Sequence, residues 1–222
     1  MIIMVLMSIG GVVGAQSNQA PVVRIVKPVS AFAAGPVPYA IQVTDQEDGD
    51  SEFGEIPSGE VLMVIRHLAD TIGYRQKATL INEMLPGLFS LREANCLSCH
   101  AATSQLIGPS FARVAGRYNV NQADLLVKKV RSGGSGVWGD VQMPAHPDLE
   151  ENGLRSMINW ILNYGSDGKL EFKTGTSGVF RTRADAVPGG GCLVVAAYRD
   201  RGHPAVPGSS KSASVSKLLM IK

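Results

Sequence analysis

The stretch Asn95-Cys96-Leu97-Ser98-Cys99-His100 places two thiols and an imidazole within five residues, Cys96 to His100. Four chemistries use such a group: a corner of a zinc site, a redox dithiol, a disulfide, or the covalent anchor of a haem. A structural zinc site needs four Cys or His ligands, usually in two short clusters. The one other cysteine is Cys192, far along the chain in a strand-like run. A thioredoxin-type dithiol sits in a βαβ pattern, which the surrounding sequence lacks. A disulfide suits an exported chain but leaves His100 without a role. Cys-x-x-Cys-His is the attachment sequence of a c-type haem. Its two thiols add to the vinyl groups along one porphyrin edge, and the next residue brings an imidazole to the iron. At the start of a helix, Cys96 and Cys99 stand at i and i+3 on one face.

An iron held by one histidine either keeps its sixth position open for O₂ or peroxide chemistry or takes a second ligand for electron transfer. The segment "VWGDVQMPAHPDL" supplies Met143 followed by Pro144, on a loop between two helical patterns. A methionine freed from helix packing can reach into a haem crevice, and its sulfur favours reduced iron. Met157 lies on the apolar face of its helix and Met84 precedes the attachment helix, so both read as core. His146, flanked by Pro144 and Pro147, reads as a surface residue, and His67 and His203 as ordinary ones. Met143 is therefore the expected partner of His100.

The elements that position these residues follow from periodicity. Residues 84–165 read as helical: apolar spacing of three and four runs through 87–100, and 121–133 has Asn121 as N-cap and Gly133 as stop. The segment 148–165 starts at Asp148, carries Leu154, Met157, Ile158, Ile161 and Leu162 on one face, and ends at Gly165. Before and after, the pattern changes to β-branched or alternating runs broken by Gly, Pro and acidic turns, at 22–26, 37–44, 60–68, 178–182, 191–200 and 214–222.

With those motifs in place, residues 84–165 resemble the small bacterial class I cytochromes c. The resemblance rests on "CLSCH" (96–100), "IGPSFARVAGRY" (107–118), "GGSGVWGDVQMPAHP" (133–147) and "MINWILNY" (157–164), in matching order and spacing. It implies an all-α cytochrome fold, one covalent haem c, and iron ligation by His100 and Met143. It also implies that the Pro109 carbonyl accepts the free Nδ1–H of the proximal histidine and raises its basicity. By the same resemblance Trp138 stands near a haem propionate, and Trp160 packs the last helix on the first.

The flanks, 20–82 and 172–222, resemble the early and late strands of immunoglobulin-like or polycystic-kidney-disease-like modules. Neither half alone closes a sandwich. The expected fold class is thus multidomain α + β: a class I cytochrome c domain at 84–165, inserted in or flanked by a split immunoglobulin-like β-sandwich. A similar arrangement occurs in secreted proteins that fuse a pyrroloquinoline quinone sugar dehydrogenase to a β module and a cytochrome, which points to a class of partner. The acidic stretch "DQEDGDSEFGE" (45–55) departs from calcium-loop spacing, with Gly49 too early and no Glu at the twelfth position, and reads as a solvated turn rather than a calcium site. Cys192 reads as a small buried hydrophobe.

Residues 1–15 combine an apolar run, Ile2 to Val13, with the small-residue pattern Val13-Gly14-Ala15, although no Lys or Arg precedes the run. This reads as a cleaved secretory signal, too short for a membrane span, and places the protein in the bacterial periplasm or outside the cell, with no stable membrane insertion. A net charge of +2 over 222 residues gives no footprint for nucleic acid. The expected function is that of a monohaem electron carrier rather than an enzyme. It takes electrons from a dehydrogenase or quinol-oxidising partner and passes them to an oxidase or another cytochrome. Two other readings stand beside it: a haem peroxidase or redox sensor with a labile methionine, and a carbohydrate-binding module that positions a cytochrome beside a sugar dehydrogenase.

Overall fold

The runs "VLMVI" and "CLVVAAY" are apolar at every position, without the alternation of a strand that faces water on one side. In the computed structural model, described over residues 17–28, 35–182 and 189–221, they form the middle of a three-layer arrangement. One four-stranded sheet has the order β10-β9-β4-β7 (β4, Leu62–Leu68; β7, Leu170–Thr174; β9, Gly191–Arg199; β10, Ser212–Met220). Its β4 turns Met63 and Ile65 to one side and Leu62 and Val64 to the other, all four fully buried. In β9, Val194, Ala196 and Tyr198 share the first side, and Leu193, Val195 and Ala197 the second. A sheet covered on both faces needs apolar residues at successive positions.

One cover is a second sheet, in which β2 (Pro36–Asp45) pairs with β1 (Val22–Lys27), with the short β3 (Gly49–Asp50) and with β8 (Ser177–Arg181), all antiparallel. Val37, Tyr39, Ile41 and Val43 of β2 point inward at period two and meet the middle sheet. Strands from before and after the helical region thus share both sheets.

The other cover is helical: α1 (Tyr74–Glu93), α2 (Phe111–Arg117), α3 (Ala123–Ser132) and α4 (Glu151–Tyr164). The helical segment leaves β4 and returns into β7, and these strands are paired neighbours, Arg66 opposite Leu170. Its two ends are therefore adjacent, the geometry in which an insertion least disturbs its host. The helices are no loosely tethered body. Ala78, Ile81, Met84, Leu85 and Leu88 of α1, spaced three and four apart, belong to one continuous core with Leu62, Val64, Leu193 and Val195 of the middle sheet and Leu154, Met157, Ile158 and Trp160 of α4. Where α1 crosses α4 the backbones touch: a Cβ on Gly87 would stand 2.5 Å from the Ser156 carbonyl oxygen and 2.7 Å from Trp160 Cβ.

Several boundaries differ from the sequence reading. α1 starts at Tyr74, inside the stretch 20–82 assigned to strands, and runs through Pro86. Pro86 hides the first turns, yet the stripe Ala78-Ile81-Met84-Leu85 carries them. Asn121 is not an N-cap; Asn119 is, closing a capping box with Gln122 before α3. α4 begins at Glu151 rather than at Asp148. The expected signal at 1–15 lies outside the described residues. Among the described residues no helix is long and apolar enough to cross a membrane.

Candidate functional site

Helix α1 ends at Glu93, and Asn95 turns the chain through a left-handed conformation, φ 57°. Cys96–Ser98 is a single 3₁₀ turn. The thiols therefore follow a helix rather than begin one. The turn is tied by backbone bonds from Cys99 and His100 to the Cys96 carbonyl, 3.2 and 3.0 Å. Burial pushes the Cys96 thiol above its ordinary pKa; it is not a reactive thiolate on its own.

The loop that follows wraps His100. Gly108 N–H donates to the Cys99 carbonyl (2.9 Å), and Phe111 and Ala112 donate back to Ala101 and Ala102. His100 Nδ1 lies 2.7 Å from the Pro109 carbonyl oxygen. A carbonyl only accepts, so Nδ1 carries the proton and the Nε2 lone pair is free for a metal. Phe111 stacks on the imidazole at 5.8 Å and 13°, and Trp160 meets Phe111 edge-on at 5.6 Å. The approach is close: a Cβ on Gly108 would stand 2.4 Å from His100 Cε1. Ser110, fully buried, caps α2 by accepting from Arg113 N–H at 3.2 Å.

Facing His100 is a small hairpin, β5 (Gly134–Gly136) and β6 (Gly139–Met143), in which Met143 pairs with Gly134. The sequence reading has a loop here, between two helical patterns; the chain instead pairs as a short hairpin. Trp138, at the corner, packs against the guanidinium carbons of Arg113 and Arg117, each 5.2 Å from its ring centroid. Tyr118 closes edge-on at 6.5 Å.

A cleft of about 430 Å³ lies between these parts. Cys96, Cys99, His100, Pro109, Trp138 and Met143 all line it. Its floor is apolar, formed by Leu91, Phe111, Leu126, Leu154 and Ile158. Met157 also reaches the floor, but from within helix α4 and 3% exposed. His146, expected at the surface, is half-buried in the wall, its backbone N–H bonded to Val130. Sequence reasoning missed Arg113 and Arg117, although their i, i+4 spacing in "FARVAGR" puts both on one helix face.

No protein-family model matches the chain. The chain is 39% identical over 71 residues to cytochrome c-551 of Azotobacter vinelandii, covering 31% of this chain and 85% of that protein. It is 33% identical over 86 residues to cytochrome c-551 of Allochromatium vinosum, covering 38% and 92%. The crystal structure of wild-type Nitrosomonas europaea cytochrome c552 aligns at 29% identity over 33% of this chain and 94% of that one, with a TM-score of 0.32. The sequence relatives define the class: a c-type cytochrome, an electron-transfer protein with covalently bound haem c. Over about a third of its length the chain belongs to the class I cytochromes c.

The residues present fit that group. Two thiols stand beside an imidazole whose Nε2 is free, the floor is apolar, and the volume lies within the range of small-molecule sites.

Proposed function

We propose that the chain is a monohaem electron carrier in which Cys96 and Cys99 would hold the haem by thioether bonds and His100 and Met143 would ligate its iron. When bound, the haem supplies a one-electron ferric/ferrous couple. The rest is the work of this chain's residues. The Pro109 carbonyl fixes the ring and tautomer of His100 and raises its basicity. Met143 lends a soft sulfur from the end of β6 and so favours the reduced state. The apolar floor excludes water around the metal. Arg113, which lines the cleft and packs on Trp138, places positive charge beside it, where an anionic cofactor edge would be favoured. The observation that carries this reading is the convergence of all six residues on one cleft. With His100 and Met143 both committed to the iron, the site would serve electron transfer rather than substrate turnover.

The same reading assigns the two flanks to one immunoglobulin-like module, supported by their strands sharing both sheets. It assigns the protein to the periplasm or exterior, supported by the apolar leader pattern at 1–15 and by bacterial cytochrome relatives. The electron donor is a dehydrogenase or quinol-oxidising protein, a sugar dehydrogenase of the quinoprotein class among them, and the acceptor an oxidase or second cytochrome.

Intact-mass measurement under denaturing conditions, on protein made with haem-attachment machinery, tests the anchor. The mass of one haem per chain, abolished in Cys96→Ser/Cys99→Ser, is expected. The bare polypeptide mass would overturn the proposal.

A further inference from the structure

The acidic turn at 45–50, read from sequence as solvated, is built into the protein. Asp45 Oδ1 accepts the backbone N–H groups of Glu47 and Asp48 at 2.9 and 2.8 Å. Asp48 Oδ2 accepts the Tyr198 hydroxyl at 2.6 Å and the Arg201 N–H at 3.0 Å. The end of β9 and the segment before β1 close over this turn. Asp200, 3% exposed, accepts from Gly202 N–H and Lys211 N–H, and its other oxygen takes the Asn18 amide at 2.9 Å. The Asn18 amide also donates to the Ser209 carbonyl at 2.8 Å, and the next peptide N–H, of Gln19, bonds to Glu47 Oε1 at 3.3 Å.

Those bonds leave three oxygens over. Asn18 Oδ1, Asp45 Oδ2 and Glu47 Oε2 are buried, and none has a hydrogen-bond donor among the described residues. Asn18 itself is 3% exposed, and its orientation is fixed, since its NH₂ already serves two acceptors. A buried acceptor without a donor costs about 1–3 kcal/mol, more when charged. Three such oxygens, two of them on carboxylates, sit on residues linked through the Gln19 N–H on Glu47 and the Glu47 N–H on Asp45. The nearby cations are already engaged: Lys211 Nζ on the Asn18 carbonyl, and Arg201 on Glu60 and Asp48.

We propose that Asn18 Oδ1, Asp45 Oδ2 and Glu47 Oε2 form a Ca²⁺ site that pins the segment before β1 to the β2–β3 turn, with Asp200 positioning Asn18. The ligands are hard oxygens from two chain segments, without nitrogen or sulfur, which excludes a zinc-type donor set. Irregular carboxylate and amide oxygens suit calcium, whereas magnesium demands a near-ideal octahedron and keeps its waters. Among the described residues no group of three His, Cys, Asp or Glu side chains is spaced to hold a metal. The site therefore needs the asparagine and leaves the remaining positions to water. That places its affinity in the weak range of extracellular modules, on the order of 10⁻⁴–10⁻³ M.

The test is thermal unfolding of the full-length haem protein in EDTA, in calcium and in magnesium at equal ionic strength. At roughly 10 mM Ca²⁺ the Tm is expected to rise by about 3–10 °C. Magnesium should produce little of this rise, and Asn18→Ala and Glu47→Gln should abolish it with the haem spectrum unchanged. An equal rise in magnesium or in the variants would overturn the proposal. Should either variant fail to fold, calcium titration calorimetry of the unaltered protein decides. Binding of one Ca²⁺ per chain supports the site, and no heat at millimolar calcium refutes it.

Discussion

His100 is fixed from several directions: the Pro109 carbonyl takes its Nδ1 proton, Phe111 stacks on its face, and Gly108 leaves the space its ring occupies. Sequence gave access to the thiols, His100 and Met143 because their chemistry is carried by residue type and spacing. Pro109 and Trp138 came through a family resemblance. Gly108, Arg113 and Arg117 were not legible, because their roles depend on which ring lies above them. Gly108→Ala should push the imidazole off the Pro109 carbonyl and destabilise the haem protein by about 1–3 kcal/mol, measured by denaturant unfolding. Unchanged stability would mean the loop yields freely. A second residue-scale prediction concerns Cys192, fully buried with Sγ 3.4 Å from His67 Nδ1. Burial raises its thiol from 9.0 to about 11. Between those values the unfolded chain releases a proton that the folded chain retains, so stability present below pH 9 falls as pH rises toward 11. Cys192→Ala should lose less stability over that interval than the unaltered chain, read as the difference in urea midpoints. Parallel curves would contradict the assignment.

At the scale of elements, strong periodicity was readable and interrupted periodicity was not. The β-branched runs at 22–26 and 37–44 fall within β1 and β2, the run at 60–68 contains β4, and the last helix was placed to within a few residues. β7, "LEFKT", was missed because it is short and its one buried residue is Leu170. The first half of α1 was missed because Pro86 reads as a stop, although its ring is accommodated within the helix. The doubly buried strands were recognised as strands, but their meaning was not: an all-apolar run does not say what lies on each side. Leu193 faces the helices from β9 and is fully buried. Leu193→Ala should cost about 2–5 kcal/mol and lower the melting of the haem absorbance and of the β-sheet signal together. Loss in the sheet signal alone would show that the helices do not depend on the sheet.

For the whole molecule, the shared core has a functional consequence. The helical region enters and leaves through paired strands and buries α1 on the middle sheet. The cleft-bearing helices and the middle sheet therefore share one core. A redox partner meets a haem mouth whose orientation is set by the sheets, not a cytochrome on a flexible tether. The class, a c-type cytochrome, was legible from one short motif and the family resemblance around it. The fusion was not, because it rests on contacts between residues far apart in sequence, such as Ile81 with the β9 face. The most direct test of the central claim is the visible spectrum, oxidised and dithionite-reduced, of the unaltered protein and of Met143→Ala. The account predicts sharp reduced bands of covalent haem c and a weak far-red sulfur-to-iron band in the oxidised unaltered protein. In Met143→Ala that band should vanish and the potential fall by on the order of 0.1 V, within the ~0.8 V that axial ligands command. A far-red band that survives in Met143→Ala, or its absence from the unaltered protein, would contradict ligation by Met143.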